Sequence, residues 1–441
     1  MKKKLQKKNP RILVLTTYGG GGHLQLAIAR EQQILKEYPD AKIIKIDALQ
    51  DWGSYFGRFC NFLWNKAQIR GDVRTQESLV AKKIIVEYIL WPSFFFGSLY
   101  RLFRSKIDHV IDTQPFGTSP IIKAIKIYNF IKKKNLYLEK VYVDLPSERT
   151  SSYFCTIKKL KESERKYLRF ITASPLPSKG ESKESFWKRK CRLTPKNIQY
   201  EHYVIRQAFL EYQGKKRKEQ NFALSLSLNS SLEKKYVQEV VQKQEKVGVF
   251  SEKTFYFELA PKDLLLTISL GSQPAFQATL DYVDAIIENV NKVPKKKLYL
   301  IVLCSRFSMN KKSLFSQIHQ KVVEAKDFPS NLVIIPVSFQ KDQLLAPIFF
   351  RSDITLTRSG GQTSMELMAV MQGKSFIHSE TKEKTHNLEK LLQGIALWEA
   401  GNAEYLMEKI GAEVVTPRIF PSYFAKTLEK LETSMVHEIA N

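Results

Sequence analysis

Four short segments bring together residue types that can hold an anion or move a proton. Thr17-Tyr18-Gly19-Gly20-Gly21-Gly22-His23 puts four glycines between an apolar run and an amphipathic one. Glycines there permit a sharp turn and a close approach of backbone to ligand. The helix that follows offers unpaired N–H groups and a positive dipole end, which suits phosphate or developing negative charge. No Lys-Ser or Lys-Thr follows, so this is not the nucleotide-triphosphate loop. Leu24 and Gln25 stand where a dinucleotide fingerprint has its last glycine. Thr357-Arg358-Ser359-Gly360-Gly361-Gln362-Thr363-Ser364-Met365-Glu366-Leu367 repeats the arrangement. Its glycines could expose N–H groups to a diphosphate while Glu366 accepts from a ribose diol. Thr363-x-x-Glu366 also satisfies a capping box, which leaves a purely structural reading open. Leu270-Gly271-Ser272-Gln273 sets a hydroxyl and an amide in a small turn able to meet phosphate oxygens. Glu399-Ala400-Gly401-Asn402-Ala403 reads on its own as a helix start capped by asparagine.

Strand–helix alternation supplies the frame for these turns. Arg11–Tyr18, Lys42–Asp47, His109–Asp112, Lys140–Asp144 and Phe170–Ala173 read as strands. So do Leu264–Leu270, Leu298–Cys304, Leu332–Val337, Asp353–Thr357 and Ser375–Ser379. Residues 24–38 carry Leu24, Ala27, Ile28, Ile34, Leu35 and Tyr38 near one helical face. The pattern predicts two α/β units with parallel sheets. All four turns then lie on the strand side of βα units, the edge where open sheets bind ligands. Gln213–Lys262 is Ser- and Lys-rich with a strand signal only at Val247–Phe257, and it reads as a linker or insertion, partly disordered. The expected division is an N-terminal domain over 1–210, a linker over 211–262, a C-terminal domain over 263–420 and a last helix over 421–441.

The 441 residues contain 70 Lys+Arg against 44 Asp+Glu, a net charge of +26, with 43% hydrophobic and 12% aromatic residues. That is enough apolar sequence to exclude general disorder. The excess of positive charge favours anionic partners. The lysines are scattered and no nucleic-acid motif accompanies them, so nucleic acid is not an expected partner. Cys60, Cys155, Cys191 and Cys304 form no C-x-x-C and no Cys/His cluster, which argues against a disulfide scaffold or zinc site and for a reducing, cytoplasmic setting. The basic start MKKKLQKKNP is followed by too short an apolar run for an export signal. Ile84–Tyr100 is broken by Glu87, Pro92 and Gly97 and reads as a helix plus loop rather than a span. Its Trp91, Phe94, Phe95, Phe96 and Tyr100 beside Arg101, Arg104 and Lys106 suit an interfacial docking surface.

In this order the motifs resemble family 28 glycosyltransferases, the group that contains the peptidoglycan GlcNAc transferase and the monogalactosyl- and diglucosyl-diacylglycerol synthases. Val204-Ile205-Arg206-Gln207-Ala208-Phe209 adds a fifth matching segment, and the resemblance covers about residues 11–210 and 263–417. It implies a GT-B fold: two Rossmann-like domains facing across a cleft, with a nucleotide sugar, usually UDP-linked, on the C-terminal one. The acceptor, usually a lipid or lipid-linked molecule at the cytoplasmic membrane face, would lie on the N-terminal one. Transfer would invert the sugar without a metal or other cofactor, and the chain has no D-x-D. By position, Arg206 would face the diphosphate, and Gly271, Ser272 and Gln273 the phosphate or base. Arg358, Gly360, Gly361, Gln362 and Thr363 would line the diphosphate, and Glu366 would bind the ribose. Glu399 and Asn402 would approach the sugar, while Gly19, Gly20, Gly21 and Gly22 would form the acceptor-side loop.

The reaction needs a base at the acceptor hydroxyl and stabilisation of the departing diphosphate. His23 and Asp144 are the expected bases. The segment Val143-Asp144-Leu145 keeps the family's aspartate, but Arg149 stands near where its lipid-synthase branch has a histidine. The expected partners are a nucleotide sugar, a lipid acceptor and an anionic membrane surface, with the protein peripheral on the inner face. Sugar-nucleotide 2-epimerases share the fold and are the rival enzymatic reading; a non-catalytic GT-B binding protein is the third.

Overall fold

Ile12, Leu13, Val14 and Leu15 are buried on both faces of the first strand, the pattern a parallel sheet imposes when helices cover both its sides. The computed structural model describes residues 9–18, 21–201, 204–218, 220–244, 247–292, 296–308, 310 and 312–439. Gly19 and Gly20 lie outside the described residues. Strands β1 (Arg11–Thr16), β2 (Lys42–Asp47), β3 (His109–Asp112), β4 (Leu138–Val141), β5 (Leu168–Thr172) and β6 (Ile198–Tyr200) form one parallel sheet in the order β2-β1-β3-β4-β5-β6. Strands β7 (Phe222–Ser227), β8 (Val249–Phe250) and β9 (Thr254–Leu259) form a small antiparallel sheet. Strands β10 (Leu264–Ser269), β11 (Leu298–Leu303), β12 (Leu332–Val337), β13 (Ile354–Thr357), β14 (Lys374–His378) and β15 (Glu413–Val415) form a second parallel sheet in the order β12-β11-β10-β13-β14-β15.

Two Rossmann-like domains therefore face each other, which is the GT-B arrangement. In each sheet the order reverses once, between β1 and β3 and between β10 and β13. A ligand crevice opens at such a reversal, outside the carboxyl ends of the strands. The glycine turn follows β1, the 271–273 turn follows β10 and the 358–361 turn follows β13, so three of the sequence motifs sit at the two reversals.

The 211–262 segment is more ordered than its composition predicts. Residues 222–259 build the small sheet and the helix Ser231–Gln244; the helix packs on the edge strand β12, and β7 packs on the helix Asp342–Arg351. That edge carries Pro336, tolerated where no further strand pairs. The Gln244 side chain takes a missing strand's place there, accepting from Ile334 N at 2.5 Å and donating to Ile334 O at 3.0 Å. Alternating burial of Phe255, Phe257 and Leu259 with less buried neighbours gives β9 its period of two and accounts for the strand signal at Val247–Phe257, whereas β7 and the helix gave none.

Helices of the N-terminal domain form its outer wall: α1 (Gly22–Glu37), α2 (Ser54–Ile69), α3 (Val73–Ala81), α4 (Lys83–Ser105) and α5 (Thr118–Lys132). Residues 84–100 are one continuous helix rather than a helix plus loop, with Pro92 inside it. Leu90, Phe94, Ser98 and Leu102, four apart, hold α4 on the domain, while Ile85, Tyr88, Ile89, Phe96 and Tyr100 face outward. Among the described residues no helix is long and apolar enough to cross a membrane. The last helix, Phe420–Ile439, packs back on the helix Phe276–Asn289 of its own domain.

Candidate functional site

The two domains meet at their glycine turns. Gly21 has φ +80°, and a Cβ there would lie 2.8 Å from Ser272 Oγ of the opposite domain. A Cβ on Gly361 would collide with the Val143 carbonyl, and one on Gly401 with the Ser147 hydroxyl. The glycines thus permit backbone to close on backbone across the cleft. Gly271 (φ +88°) and Gly360 instead border open space on the C-terminal side. Helix Gly361–Val370 begins there with Gly360 as its cap and no side-chain cap bond. Thr363 is therefore inside the helix and the capping-box reading of Glu366 does not hold.

The turn after β13 carries an unusual number of idle polar atoms. Thr357 Oγ1, Ser359 Oγ, Gln362 Oε1 and Ser364 Oγ are buried without a hydrogen-bond partner. A buried hydroxyl or amide left unpaired costs about 1–3 kcal/mol, so such a cluster marks a place where a polar ligand would be welcome. Arg358 stands beside it, donating to Glu380 Oε1 at 2.6 Å, to Gln68 O at 3.1 Å and to Gln273 O at 3.4 Å. Burial pushes the Glu380 carboxyl up, but His378 and Arg358 outweigh it and hold the pKa at about 2.

Arg206 lies in the crossing between domains and is buried. Its fork donates to both Glu366 oxygens at 2.6 Å, to Asp342 Oδ1 at 2.6 Å and to Gln25 Oε1 at 3.2 Å. Gln362 Nε2 also donates to Glu366 Oε1, at 2.9 Å. Two residues expected to hold different parts of a nucleotide are thus paired with each other.

Asn402 sits in the middle of the helix Leu397–Ile410 and is no cap. Its Nδ2 donates to Asp144 Oδ1 at 2.9 Å and to Ser359 O at 2.8 Å, and its Oδ1 accepts from Leu145 N at 2.7 Å. It joins the expected base segment to the expected donor turn. Burial raises the Asp144 pKa to about 7; the Asn402 bond lowers it and Glu399 raises it further. The part-buried Glu399 is itself raised, by burial first, against the pull of Arg358. Arg149 donates to Glu404 at 2.6 Å and to Glu389 at 2.7 Å, another pair across the cleft.

His23 is buried on α1, with Nδ1 2.7 Å from the Thr113 carbonyl. A carbonyl only accepts, so Nδ1 carries the proton and Nε2 the lone pair. Burial lowers the pKa to about 4, with Lys140 and Lys83 adding to it against the Thr113 bond, so the ring is neutral at pH 7. The ring borders a cavity of about 100 Å³ walled by α2, α3 and α4, with Leu49, Trp64, Val80, Val86 and Phe116 in its lining and Asn61 and Lys83 as polar members.

The structure therefore gathers Gly21, Gly22, Ser272, Arg358, Gly361, Asp144, Glu366, Asn402 and Arg206 along one interdomain seam. His23 faces the cavity behind it. Sequence reasoning missed Asn61, Lys83, Asp342 and Glu380. Only α2 carries a readable signal for one of them, its aromatic residues and its amides falling on opposite faces.

No protein-family model matches the chain, and no curated protein matches it. Solved structures similar to it include MurG of Acinetobacter baumannii, at 12% identity and TM-score 0.42 over 96% of this chain and 94% of that one. Another is the Streptomyces sp. SF2575 glycosyltransferase SsfS6, at 11% and 0.42 over 97% and 96%. A third is the UDP-GlcNAc 2-epimerase of Neisseria meningitidis bound to UDP-GlcNAc, at 11% and 0.41 over 95% and 100%. At this degree of likeness the fold rests on the strand orders and registers themselves.

Proposed function

We propose that the chain is a glycosyltransferase of the family 28 kind, which moves a sugar with inversion from a nucleotide donor, UDP-linked, to a hydroxyl of a lipid or lipid-linked acceptor at the inner membrane face. The observation that carries this reading is the β13 turn: idle buried hydroxyls and an amide beside open space, at a sheet reversal and a helix N-terminus. Diphosphate oxygens can accept from the Thr357, Ser359 and Ser364 hydroxyls, while Gln362 Oε1, an acceptor, suits a hydroxyl of the ribose or sugar. In the reaction the acceptor oxygen bonds to the anomeric carbon as the bond from that carbon to the diphosphate oxygen breaks. The acceptor proton goes to a base, and the helix dipole and Arg358 take up the charge of the leaving diphosphate.

Of the two candidate bases, His23 faces the cavity and holds its Nε2 lone pair at neutral pH, so we assign it the proton. Asp144 faces Asn402 and ties its own domain to the other. For the donor to reach Glu366 the Arg206 fork must let go, so binding is coupled to movement of the domains. The outward aromatic residues of α2 and α4, with the +26 charge, supply the membrane contact.

The test is product analysis with UDP-sugars, with and without vesicles carrying lipid acceptors. A glycolipid formed only with vesicles supports transfer. A changed sugar on the nucleotide without any acceptor would establish the epimerase reading instead. UDP binding with neither product would leave a binding protein.

A further inference from the structure

Helix α2 is built inside out. Tyr55, Phe56, Phe59, Phe62 and Ile69 are exposed, while Asn61 and Gln68 are buried to more than nine-tenths. An ordinary surface helix puts its apolar stripe inward. Residues 61, 64, 65 and 68 follow the i, i+3, i+4, i+7 spacing of one face. Every one of them has a buried polar atom without a partner: Asn61 Nδ2, Trp64 Nε1, Asn65 Oδ1 and Gln68 Oε1. One such atom is unremarkable, but four in a row on one face is a surface waiting for a partner. The stripe has two defined ends. Asn61 and Trp64 line the cavity that His23 borders. At the other end the main-chain carbonyl of Gln68 accepts from Arg358 of the donor turn, a bond that a side-chain substitution at 68 keeps. Over seven residues the helix rises roughly 10 Å, so the stripe runs from the His23 cavity to the β13 turn. Trp64 is fixed by stacking on Trp398, with centroids 5.6 Å apart.

We propose that this inner stripe of α2 is the recognition face for the acceptor's head, and that the head is a sugar or polyol rather than a simple alcohol. This rests on the transferase reading for the word acceptor, but the site itself does not need a nucleotide. Side-chain amides donate and accept in one plane, which matches vicinal hydroxyls, and an indole N–H adds a donor. The apolar remainder of the cavity wall takes the C–H face of a ring. A site built to bond hydroxyls discriminates strongly against a ligand lacking them, because its own groups are then left unpaired.

The full-length chain is titrated with n-octyl β-D-glucoside below its micelle concentration, and with 1-octanol, following heat or tryptophan fluorescence. The glucoside is expected to bind at least about tenfold more tightly than the alcohol. Asn61→Leu and Gln68→Leu are each expected to cut that preference about fivefold or more and to leave UDP binding unchanged. Each should also raise the melting temperature of the free protein, since an idle buried amide is replaced by an apolar group of similar size. A structural role moves the melting temperature the other way. Equal binding of glucoside and octanol, or variants that melt lower and keep the wild-type preference, would overturn the proposal. Failure of the wild type to bind UDP while it still prefers the glucoside would remove the transferase reading and leave the stripe as a sugar site.

Discussion

At the scale of single residues, protons decide the behaviour of the seam. His23 and Asp144 are shifted in opposite senses, and both shifts come mainly from burial. With His23 as base, His23→Ala should lower kcat by about 10²- to 10⁴-fold with UDP affinity unchanged, read by steady-state turnover beside calorimetry. Because the imidazole is already neutral above about pH 4, no loss of rate from His23 protonation is expected between pH 5 and 8. Asp144 titrates where His23 does not. Its folded pKa of about 7 lies above the 3.8 of an unperturbed aspartate, so between those values the folded protein holds the extra proton. Asp144's contribution to stability is then fully present below 3.8 and is lost as pH rises through 7. His23 runs the other way: its folded pKa is depressed, so its contribution is lost as pH falls from 6.5 toward 4. Thermal melts from pH 5 to 8.5 should show Asp144→Asn gaining on the wild type as pH increases. A constant difference across that range would contradict the assignment.

Among the elements, the decisive contacts are glycine against backbone and charge against charge. Gly361→Ala puts a methyl group into the Val143 carbonyl while suiting the helix it starts, so each domain should fold and the cleft should stay apart. Small-angle scattering should report a larger radius of gyration than wild type, with reduced turnover. Between β3 and β4, Lys140 Nζ meets Asp112 Oδ2 at 2.7 Å with both side chains fully buried. Lys140→Met would strand that carboxylate and cost about 3–5 kcal/mol in denaturant unfolding. These elements also show what the sequence made legible. β1, β10 and β12 were plain, because a strand buried on both faces is a run of apolar residues. The glycine turns were plain as glycine clusters, though of their described glycines only Gly21 and Gly271 need a left-handed backbone, and Gly361 and Gly401 are required instead by close approach across the cleft. β6 and β15, of three residues each, were too short to signal. The pairing of Arg206 with Glu366 and of Asn402 with Asp144 joins positions 160 and 258 residues apart. No local pattern encodes such a partner, so residues read separately as donor ligands or, for Asp144, as a base turned out to be one another's neighbours.

For the whole molecule, two domains are held shut by their own charged and amide groups, so under the proposed function they must open to load the donor. The outward aromatic residues of α2 and α4 and the net charge of +26 are the features on which the proposed membrane contact rests. Replacing Phe59, Phe62 and Tyr88 by serine should weaken sedimentation with vesicles containing anionic lipid by about tenfold or more, since each exposed ring gives up apolar contact. Raised salt should weaken what remains. The central claim is that the C-terminal domain holds a nucleotide sugar through the β13 turn and Glu366. Calorimetric titration with UDP tests it most directly, on wild type and on Glu366→Ala with its fold verified by circular dichroism. Saturable one-site binding, weakened in the variant by about 1 kcal/mol or more, is the predicted result. No binding of UDP or of any other nucleoside diphosphate to the wild type would contradict it.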